Sequence, residues 1–190
     1  MSQPTVLREA ISDDRAWTAD TIDTPSSWHC ALSDECVAEL DLAGRREESG
    51  RRPLTEMQID RSHFGACSGA LLPAIDALSS GRGFVIVDPP GTLTAHADRA
   101  RAAYWIIGQL IGAPFEQDIG GSLLYDVRDT GESVTGGSRF SVTNAESTFH
   151  TDNAFNPRLP DVVGLLCLQP AKSGGKSQLL SAYAVHNALL

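Results

Sequence analysis

Two stretches near the end of the sequence decide how the chain is interpreted: FHTDNAF at 149–155 and PDVVGLLCLQPAKSGGKSQLLSA at 160–182. In the second stretch, VVGLLCLQ at 162–169 is a continuous apolar run, which predicts a strand buried on both faces. In the first stretch, His150 and Asp152 are two residues apart, so on a strand their side chains lie on the same face. An imidazole and a carboxylate that converge on one point are suited to hold a divalent metal ion.

The His–x–Asp pair is a weak signal on its own, because a surface histidine beside a turn aspartate is the more common occurrence. Two histidines and one carboxylate form the facial triad of non-haem Fe(II) oxygenases, which leaves coordination positions open. Phe149 and Phe155 are expected to shield the pair from solvent. Three other polar side chains beside the pair either contact the metal or satisfy turns: Asn144, Glu146 and Asn153.

The GGKS segment at 174–177 resembles the end of a phosphate-binding P-loop. However, the first glycine of the GxxxxGK[ST] pattern would fall at Pro170, and the segment precedes a strand-like run rather than a long helix. The sequence therefore argues against a P-loop, and the glycine pair predicts a tight turn instead.

Hydrophobic periodicity predicts the remaining helices and strands. Helices are expected at 34–48 behind a Ser33 cap, at 70–79, and at 95–111 with an apolar face of Ala97, Ala100, Tyr104, Ile107 and Leu110. Strands are expected at 84–87, 123–127 and 162–169, with a further short one at 140–142. Helices first and strands later indicate the α+β class.

The two ends of the chain are less regular in their pattern. Residues 1–30 are polar and predicted to be extended or weakly ordered, with Trp17 and Trp28 as apolar anchors. The Arg/Glu/Gly-rich stretch 44–53 is expected to be a loop. We divide the chain into a weakly defined N-terminal polar and helical segment, 1–68, and a second part, 69–190.

Composition narrows the classes of function. The 190 residues carry a formal net charge of −9, so no basic stripe is available and we expect no nucleic-acid partner. No apolar run approaches the ~20 residues that span a bilayer, so we expect no membrane partner. The N-terminus lacks a basic start followed by an apolar stretch, which favours a cytoplasmic location.

The four cysteines have spacings that match no regular metal-binding pattern, and no export signal supports disulfides. We therefore expect reduced, partly buried thiols at Cys30, Cys36, Cys67 and Cys167. The alternative is a zinc site assembled from His29, Cys30, Cys36, His63 and Cys67.

The quoted stretches together resemble the TauD/TfdA family, the taurine dioxygenase-like and clavaminate synthase-like Fe(II)- and 2-oxoglutarate-dependent oxygenases. The shared features are a His–x–Asp/Glu pair, a buried strand and a Gly-Gly-x-Thr/Ser turn, and the separation of 25 residues between Asp152 and Ser177 fits them. Upstream, GFVIVD at 83–88 and a helix that ends in IGAP also look like the family. The resemblance covers about 70–190 and implies part of a double-stranded β-helix, or jelly roll, with flanking helices.

By this resemblance, His150 and Asp152 are ligands of Fe(II), and no other catalytic residue is assigned. Ser177 matches the position whose hydroxyl helps to bind the distal carboxylate of 2-oxoglutarate, where the family usually has threonine. The implied activity is that of a dioxygenase that converts 2-oxoglutarate to succinate and hydroxylates a small molecule with O₂. The resemblance indicates neither the substrate nor the oligomeric state.

The chain departs from the family in one respect. The second metal-binding histidine and the arginine that pairs with 2-oxoglutarate lie far downstream in the family, whereas only His186 and Arg158 follow Asp152 here. His186 lies in an expected helix whose Val185 and Leu189 would face the core. The sequence stops inside that helix, so we expect an N-terminal portion of a longer enzyme that is inactive alone.

Two alternatives to an oxygenase stay open. The first is a non-catalytic, degenerate jelly-roll scaffold that binds a small acid or a partner, and the absence of a second histidine ligand supports it. The second is another metal-dependent jelly roll, such as a cupin-like isomerase. Iron binding with and without 2-oxoglutarate, followed by a succinate assay, separates the three hypotheses.

Overall fold

The structure is a computed structural model that describes residues 6–48, 52–118, 120–132, 140–152 and 158–190. Its helices are α1 (Asp34–Glu48), α2 (Gly65–Ala70), α3 (Leu72–Ser79), α4 (Gly91–Thr94), α5 (Ala97–Ile111) and α6 (Ala182–Leu189). Its strands are β1 (His29–Ala31) and β2 (Ile86–Asp88). Short 3₁₀ turns lie at Asp14–Ala16, Pro25–Trp28, Leu54–Glu56, Arg61–His63 and Phe140–Val142.

Helix α1 confirms the helix predicted at 34–48. The Ser33 hydroxyl accepts a hydrogen bond from the Cys36 N–H at 3.2 Å, so the expected cap is present. Acidic residues in the first turn and arginines in the last turn complement the helix dipole. The helix continues to Glu48, so the loop predicted at 44–53 is wrong for its first five residues, which the α1 hydrogen-bond ladder includes.

The core lies where α1 and α2 pack against α5. Leu40 of α1, Leu71 at the α2–α3 junction and Ile106 of α5 are almost completely shielded from water. Burial of three such side chains is worth about 1.5–3 kcal/mol each. Small residues on α5 allow the helices to approach, since a Cβ built on Gly44 would lie 3.8 Å from that of Ala102. The core draws on residues from both 1–68 and 69–190, and the division at 68 stays a prediction.

A disulfide joins Cys36 of α1 to Cys67 of α2 inside this core. The expectation of four reduced thiols is therefore wrong for this pair, because the fold brings two residues 31 positions apart within a Cα–Cα distance of 4.3 Å. The disulfide also removes Cys36 and Cys67 from the set of ligands considered for a zinc site. Cys30 and Cys167 are free thiols, the first buried and the second exposed.

Helix α5 confirms the helix predicted at 95–111, and it ends at Ile111 immediately before Gly112. Two of its side chains hold the segment that links α1 to α2, because Trp105 Nε1 and Gln109 Nε2 both donate to the Met57 carbonyl, at 2.8 and 3.0 Å. The Arg61 guanidinium donates to the last carbonyls of the helix, at Gln109 and Leu110. A cation at this end also complements the helix dipole.

The sheet is a parallel pair in which Cys30 lies opposite Val87. The strand predicted at 84–87 is confirmed in part, with its pairing shifted to 86–88. The helix predicted at 70–79 is confirmed except at its start, because α3 begins at Leu72 with a proline in its first turn. The mixed helix-and-sheet architecture agrees with the α+β class.

The other predicted strands do not form in the described part of the chain. Residues 123–127 and 162–169 are irregular and mostly exposed, and 140–142 form a 3₁₀ turn. The physical reason is that a strand needs a ladder partner for its backbone N–H and C=O groups, and apolarity alone does not supply one. The two-stranded sheet β1–β2 therefore does not confirm a jelly roll.

The N-terminal segment is more ordered than its polar composition predicts. Trp17 and Trp28 pack edge-on against Phe84, each with ring centroids 5.5 Å apart, so they act as the expected anchors. Strand β1 and two 3₁₀ turns also fall within or beside this segment. Among the described residues, no helix is long and apolar enough to cross a bilayer.

Candidate metal and cofactor site

The side chains of His150 and Asp152 meet although their backbone is not a strand. His150 Nε2 lies 3.2 Å from Asp152 Oδ1. The other ring nitrogen, Nδ1, lies 2.7 Å from the Thr148 carbonyl and 3.3 Å from the Ser147 hydroxyl. A carbonyl accepts only, so Nδ1 carries a proton and donates it to Thr148.

This hydrogen bond determines what Nε2 can do. With the proton on Nδ1, the neutral imidazole presents a lone pair at Nε2, directed at a carboxylate oxygen. Two electron-pair donors facing each other need a cation between them, which is either a proton on Nε2 or a metal ion. Metal-binding histidines usually donate their other ring N–H to a carboxylate, a backbone carbonyl or water, and the bond to Thr148 is of this kind.

The separation of the two donor atoms fits a metal ion. Nitrogen and oxygen ligands lie about 2.1 Å from a divalent metal such as zinc, so two ligands at a right angle are about 3.0 Å apart. The observed 3.2 Å is compatible with this edge of a coordination polyhedron and equally with a direct hydrogen bond from a protonated Nε2 to the carboxylate. In the described part of the chain, no group of three or more His, Cys, Asp or Glu side chains could hold a metal ion. That His150 and Asp152 bind a metal therefore stays a prediction.

The pair lies at the surface. The side chains of His150 and Asp152 are 56% and 49% exposed, and Phe149 is exposed as well. The expected shielding by Phe149 is therefore absent, because most of its side chain is exposed to solvent. Asn153 and Phe155 lie outside the described residues, while Asn144 and Glu146 are exposed beside the pair.

Helix α5 holds the segments on both sides of the pair. Arg101 forms an ion pair with Asp126 at 2.7 Å, and Tyr104, one turn further along, donates from its hydroxyl to the Gly164 carbonyl at 2.7 Å. Residues three apart share one face of a helix, so the two contacts are neighbours. Burial raises the pKa of the Tyr104 phenol, which keeps it protonated as a donor.

The segment before the pair is in turn joined to residues 126–130, which begin with Asp126. The N–H groups of Arg128 and Thr130 donate to the carbonyls of Ser141 and Val142, at 3.1 and 3.0 Å. Residues 126–130 thus connect 140–152 to α5, because Asp126 pairs with Arg101 of that helix. Arg101 was not among the site residues predicted from the sequence, and Tyr104 was placed on the apolar face. The available signal was the spacing of three positions between these two side chains, which puts both on one face of α5.

Ser177 follows a turn in which Gly174 and Gly175 have φ of +71° and +67°, a conformation that favours glycine. The backbone bends at 172–173, just before these glycines, which agrees in part with the predicted tight turn. Ser177 itself is exposed in irregular backbone. Within the described ranges, no hydrogen bond joins it to His150 or Asp152, and its role in cofactor binding stays a prediction.

His186 and Arg158, the only His and Arg after Asp152, do not lie where they could replace the missing metal ligand and the 2-oxoglutarate arginine. His186 Nε2 lies 3.1 Å from the Glu9 carbonyl and so serves as a donor there rather than as a lone-pair ligand. Val185 and Leu189 of the same helix are exposed, contrary to expectation. Arg158 is an exposed residue at the start of the last described range.

Comparison with known proteins identifies the class. The sequence model of the family described as "Taurine catabolism dioxygenase TauD, TfdA family" matches residues 50–190, and the chain belongs to this family. Its members use Fe(II), 2-oxoglutarate and O₂ and act on small molecules, so a non-haem iron oxygenase is supported at the family level.

The chain is also similar to a curated protein, FR-33289 synthase of Streptomyces rubellomurinus (strain ATCC 31215). The two are 26% identical over 190 residues, which cover 97% of this chain and 53% of the relative. The chain therefore spans about half the length of the relative. The resemblance derived from the two quoted stretches is confirmed.

Proposed function

We propose that this chain contributes the His–x–Asp half of the iron site in a 2-oxoglutarate-dependent hydroxylase of a small molecule. The observation that carries the proposal is the His150–Asp152 pair, whose donor atoms lie 3.2 Å apart with the imidazole tautomer set by Thr148. Membership of the TauD/TfdA family supplies the identity of the metal and the cosubstrate.

The chain's own residues have distinct roles in this proposal. His150 Nε2 and Asp152 Oδ1 bind the metal, while the Thr148 carbonyl orients the imidazole by accepting from Nδ1. Ser177 donates its hydroxyl to the distal carboxylate of 2-oxoglutarate. When bound, Fe(II) and 2-oxoglutarate supply the oxidative chemistry that inserts oxygen into a C–H bond. The two α5 contacts hold the segments that flank the metal-binding pair.

We further propose that the third metal ligand and the arginine for 2-oxoglutarate come from outside the 190 residues. Two protein ligands hold a metal weakly, since each missing ligand lowers affinity and leaves the geometry less well fixed. The family's jelly roll would then be completed by the same additional chain, which would pair the apolar segment 162–169. A cytoplasmic location is part of the proposal.

The test uses metal titration and a product assay under identical conditions. Anaerobic calorimetry with Fe(II), with and without 2-oxoglutarate, is followed by measurement of succinate after admission of O₂. The 190-residue chain should bind iron weakly and form no succinate above background. A longer form that contains a downstream histidine and arginine should bind iron and turn over.

Variants of the longer form separate a metal site from a surface pair. His150→Ala and Asp152→Ala should each lower iron affinity by more than about 100-fold, because loss of an outer hydrogen-bond partner alone costs 10–100-fold. Glu132→Gln, an exposed carboxylate that the metal hypothesis does not use, is the matched control and should bind iron normally. If the longer form binds 2-oxoglutarate but neither iron nor O₂-dependent turnover is found, the non-catalytic scaffold is the better description.

A further inference from the structure

The N-terminal segment from Glu9 to Trp17, here called the strap, lies along helix α6 although about 170 residues separate them. The clearest contact is reciprocal. Asn187 Oδ1 accepts from the Ile11 N–H at 2.8 Å, and Asn187 Nδ2 donates to the Ile11 carbonyl at 2.7 Å. One carboxamide thus satisfies both backbone groups of one strap residue, as a neighbouring strand would.

Two more polar side chains of α6 bind the strap backbone. Ser181, the buried N-cap, accepts from the Ala184 N–H and donates to the Arg15 carbonyl at 2.5 Å. His186 Nε2 donates to the Glu9 carbonyl at 3.1 Å. The contacts are spread from the first to the last turn of the helix, so they fix its direction as well as its position.

The strap is anchored at its other end in the helical layer. The Trp17 indole N–H donates to the Arg82 carbonyl at 2.8 Å, and the Trp17 ring packs against Phe84. In between, the Arg15 guanidinium lies 4.9 Å from the centre of the Tyr183 ring, a cation–π contact. The strap therefore connects α6 to the part of the chain that carries the core.

Helix α6 needs such a connection. It has eight residues, too few for a stable isolated helix in water. Its apolar side chains Val185 and Leu189 are 43% and 82% exposed, so neither is a buried anchor for the helix. Its polar face therefore provides the contacts with the chain that keep it folded.

We propose that the strap is a device that holds α6 folded and in place, and with it the short connection from the Gly174–Gly175 turn to Ser181. Release of Asn187 from Ile11 frees α6 to unfold locally while the helical core stays intact. The contacts do not involve the His150–Asp152 pair, so the proposal stands whether or not the chain binds iron.

Amide hydrogen exchange of the full 190-residue chain, read by mass spectrometry of peptides, tests this proposal. In Asn187→Ala, amides within 182–190 should exchange about tenfold to thirtyfold faster than in the wild type, because two hydrogen bonds of typical net strength are lost. Peptides from α5 should be unchanged in the same sample. Asn144→Ala, an exposed asparagine away from the strap, is the matched control and should leave α6 protection unchanged.

Two results would overturn the proposal. The first is wild-type protection of 182–190 in Asn187→Ala, since the helix would then be held by something other than the strap. The second is equal acceleration in α5 and α6, which would make Asn187 a determinant of global stability. Asn187→Asp adds a check, because it keeps the acceptor for the Ile11 N–H but faces the Ile11 carbonyl with a carboxylate. It should also accelerate exchange in α6.

Discussion

Substitution of Gly164 by alanine should loosen the apolar segment 162–169 from α5. A Cβ on Gly164 would lie 2.9 Å from the Tyr104 hydroxyl oxygen and 3.3 and 3.4 Å from two ring carbons. The first distance is too short for a carbon beside an oxygen, so the tyrosine or the segment must move. The hydrogen bond from Tyr104 to the Gly164 carbonyl, at 2.7 Å, is then weakened or lost.

The size of the effect follows from three contributions. The lost hydrogen bond is worth about 1 kcal/mol and the steric overlap about 1–3 kcal/mol. Alanine recovers about 0.4–1 kcal/mol by restricting the open state, since Gly164 does not have a left-handed backbone that alanine would resist. We expect the local opening free energy of the segment to fall by about 2 kcal/mol, which raises the open population about thirtyfold.

Native-state proteolysis within 158–170 measures this population when cleavage is slower than reclosing. Tyr104→Phe alone should lower the opening free energy by about 1 kcal/mol. Because both substitutions remove the same hydrogen bond, the double variant should be less affected than the sum of the singles by about 1 kcal/mol. Gly108→Ala on α5, with open space at its Cβ, is the control. Strict additivity, or unchanged cleavage in Gly164→Ala, would refute the contact.

Three further predictions concern the thiols and two carboxylates of the chain. A thiol reagent should modify Cys167 rapidly and Cys30 only after unfolding, because Cys30 is buried and burial raises the pKa of its thiol. If the unfolded, unreduced chain shows four reactive thiols, the disulfide is contradicted. Glu39→Gln should lower the free energy of unfolding in urea by about 1–2 kcal/mol, because the Glu39 carboxylate accepts from two backbone N–H groups at the start of α2. An unchanged urea midpoint would exclude this role. Hydrogen bonds from Arg15 lower the pKa of Asp13 to about 2, so Asp13→Asn should destabilise the chain at pH 7. The difference in stability between the wild type and the variant should shrink as the pH falls from about 4 towards 2. A difference that grows on acidification would contradict the ion pair.

Local signals in the sequence were sufficient to predict where helices α1 and α5 begin and end. Helix α1 begins behind Ser33 and α5 ends before Gly112 as predicted, because caps, end charges and apolar spacing act within one or two turns. The family was also accessible from the sequence, since two motifs and their separation carried it. The spacing of His150 and Asp152 predicted convergence on one face of a strand. Their donor atoms lie 3.2 Å apart on irregular, exposed backbone, and their role as metal ligands stays a prediction.

Other features depend on groups that are distant in the sequence. The apolar run 162–169 predicted a buried strand, yet its hydrogen-bond contact with α5 is one carbonyl, at Gly164, and no strand forms in the described ranges. Apolarity reports a preference for burial, whereas a strand exists only when a second backbone supplies donors and acceptors. The sequence contains no sign of which backbone that is.

The placement of α6 shows the same limit at the level of side chains. Its sequence predicts an amphipathic helix with Val185 towards the core, and the helix is present, but the strap binds its polar face instead. The Cys36–Cys67 disulfide likewise joins residues whose spacing carried no signal. Periodicity records which side chains share a face within one element. Which face is covered, and by what, depends on the summed contacts between elements brought together by the whole chain.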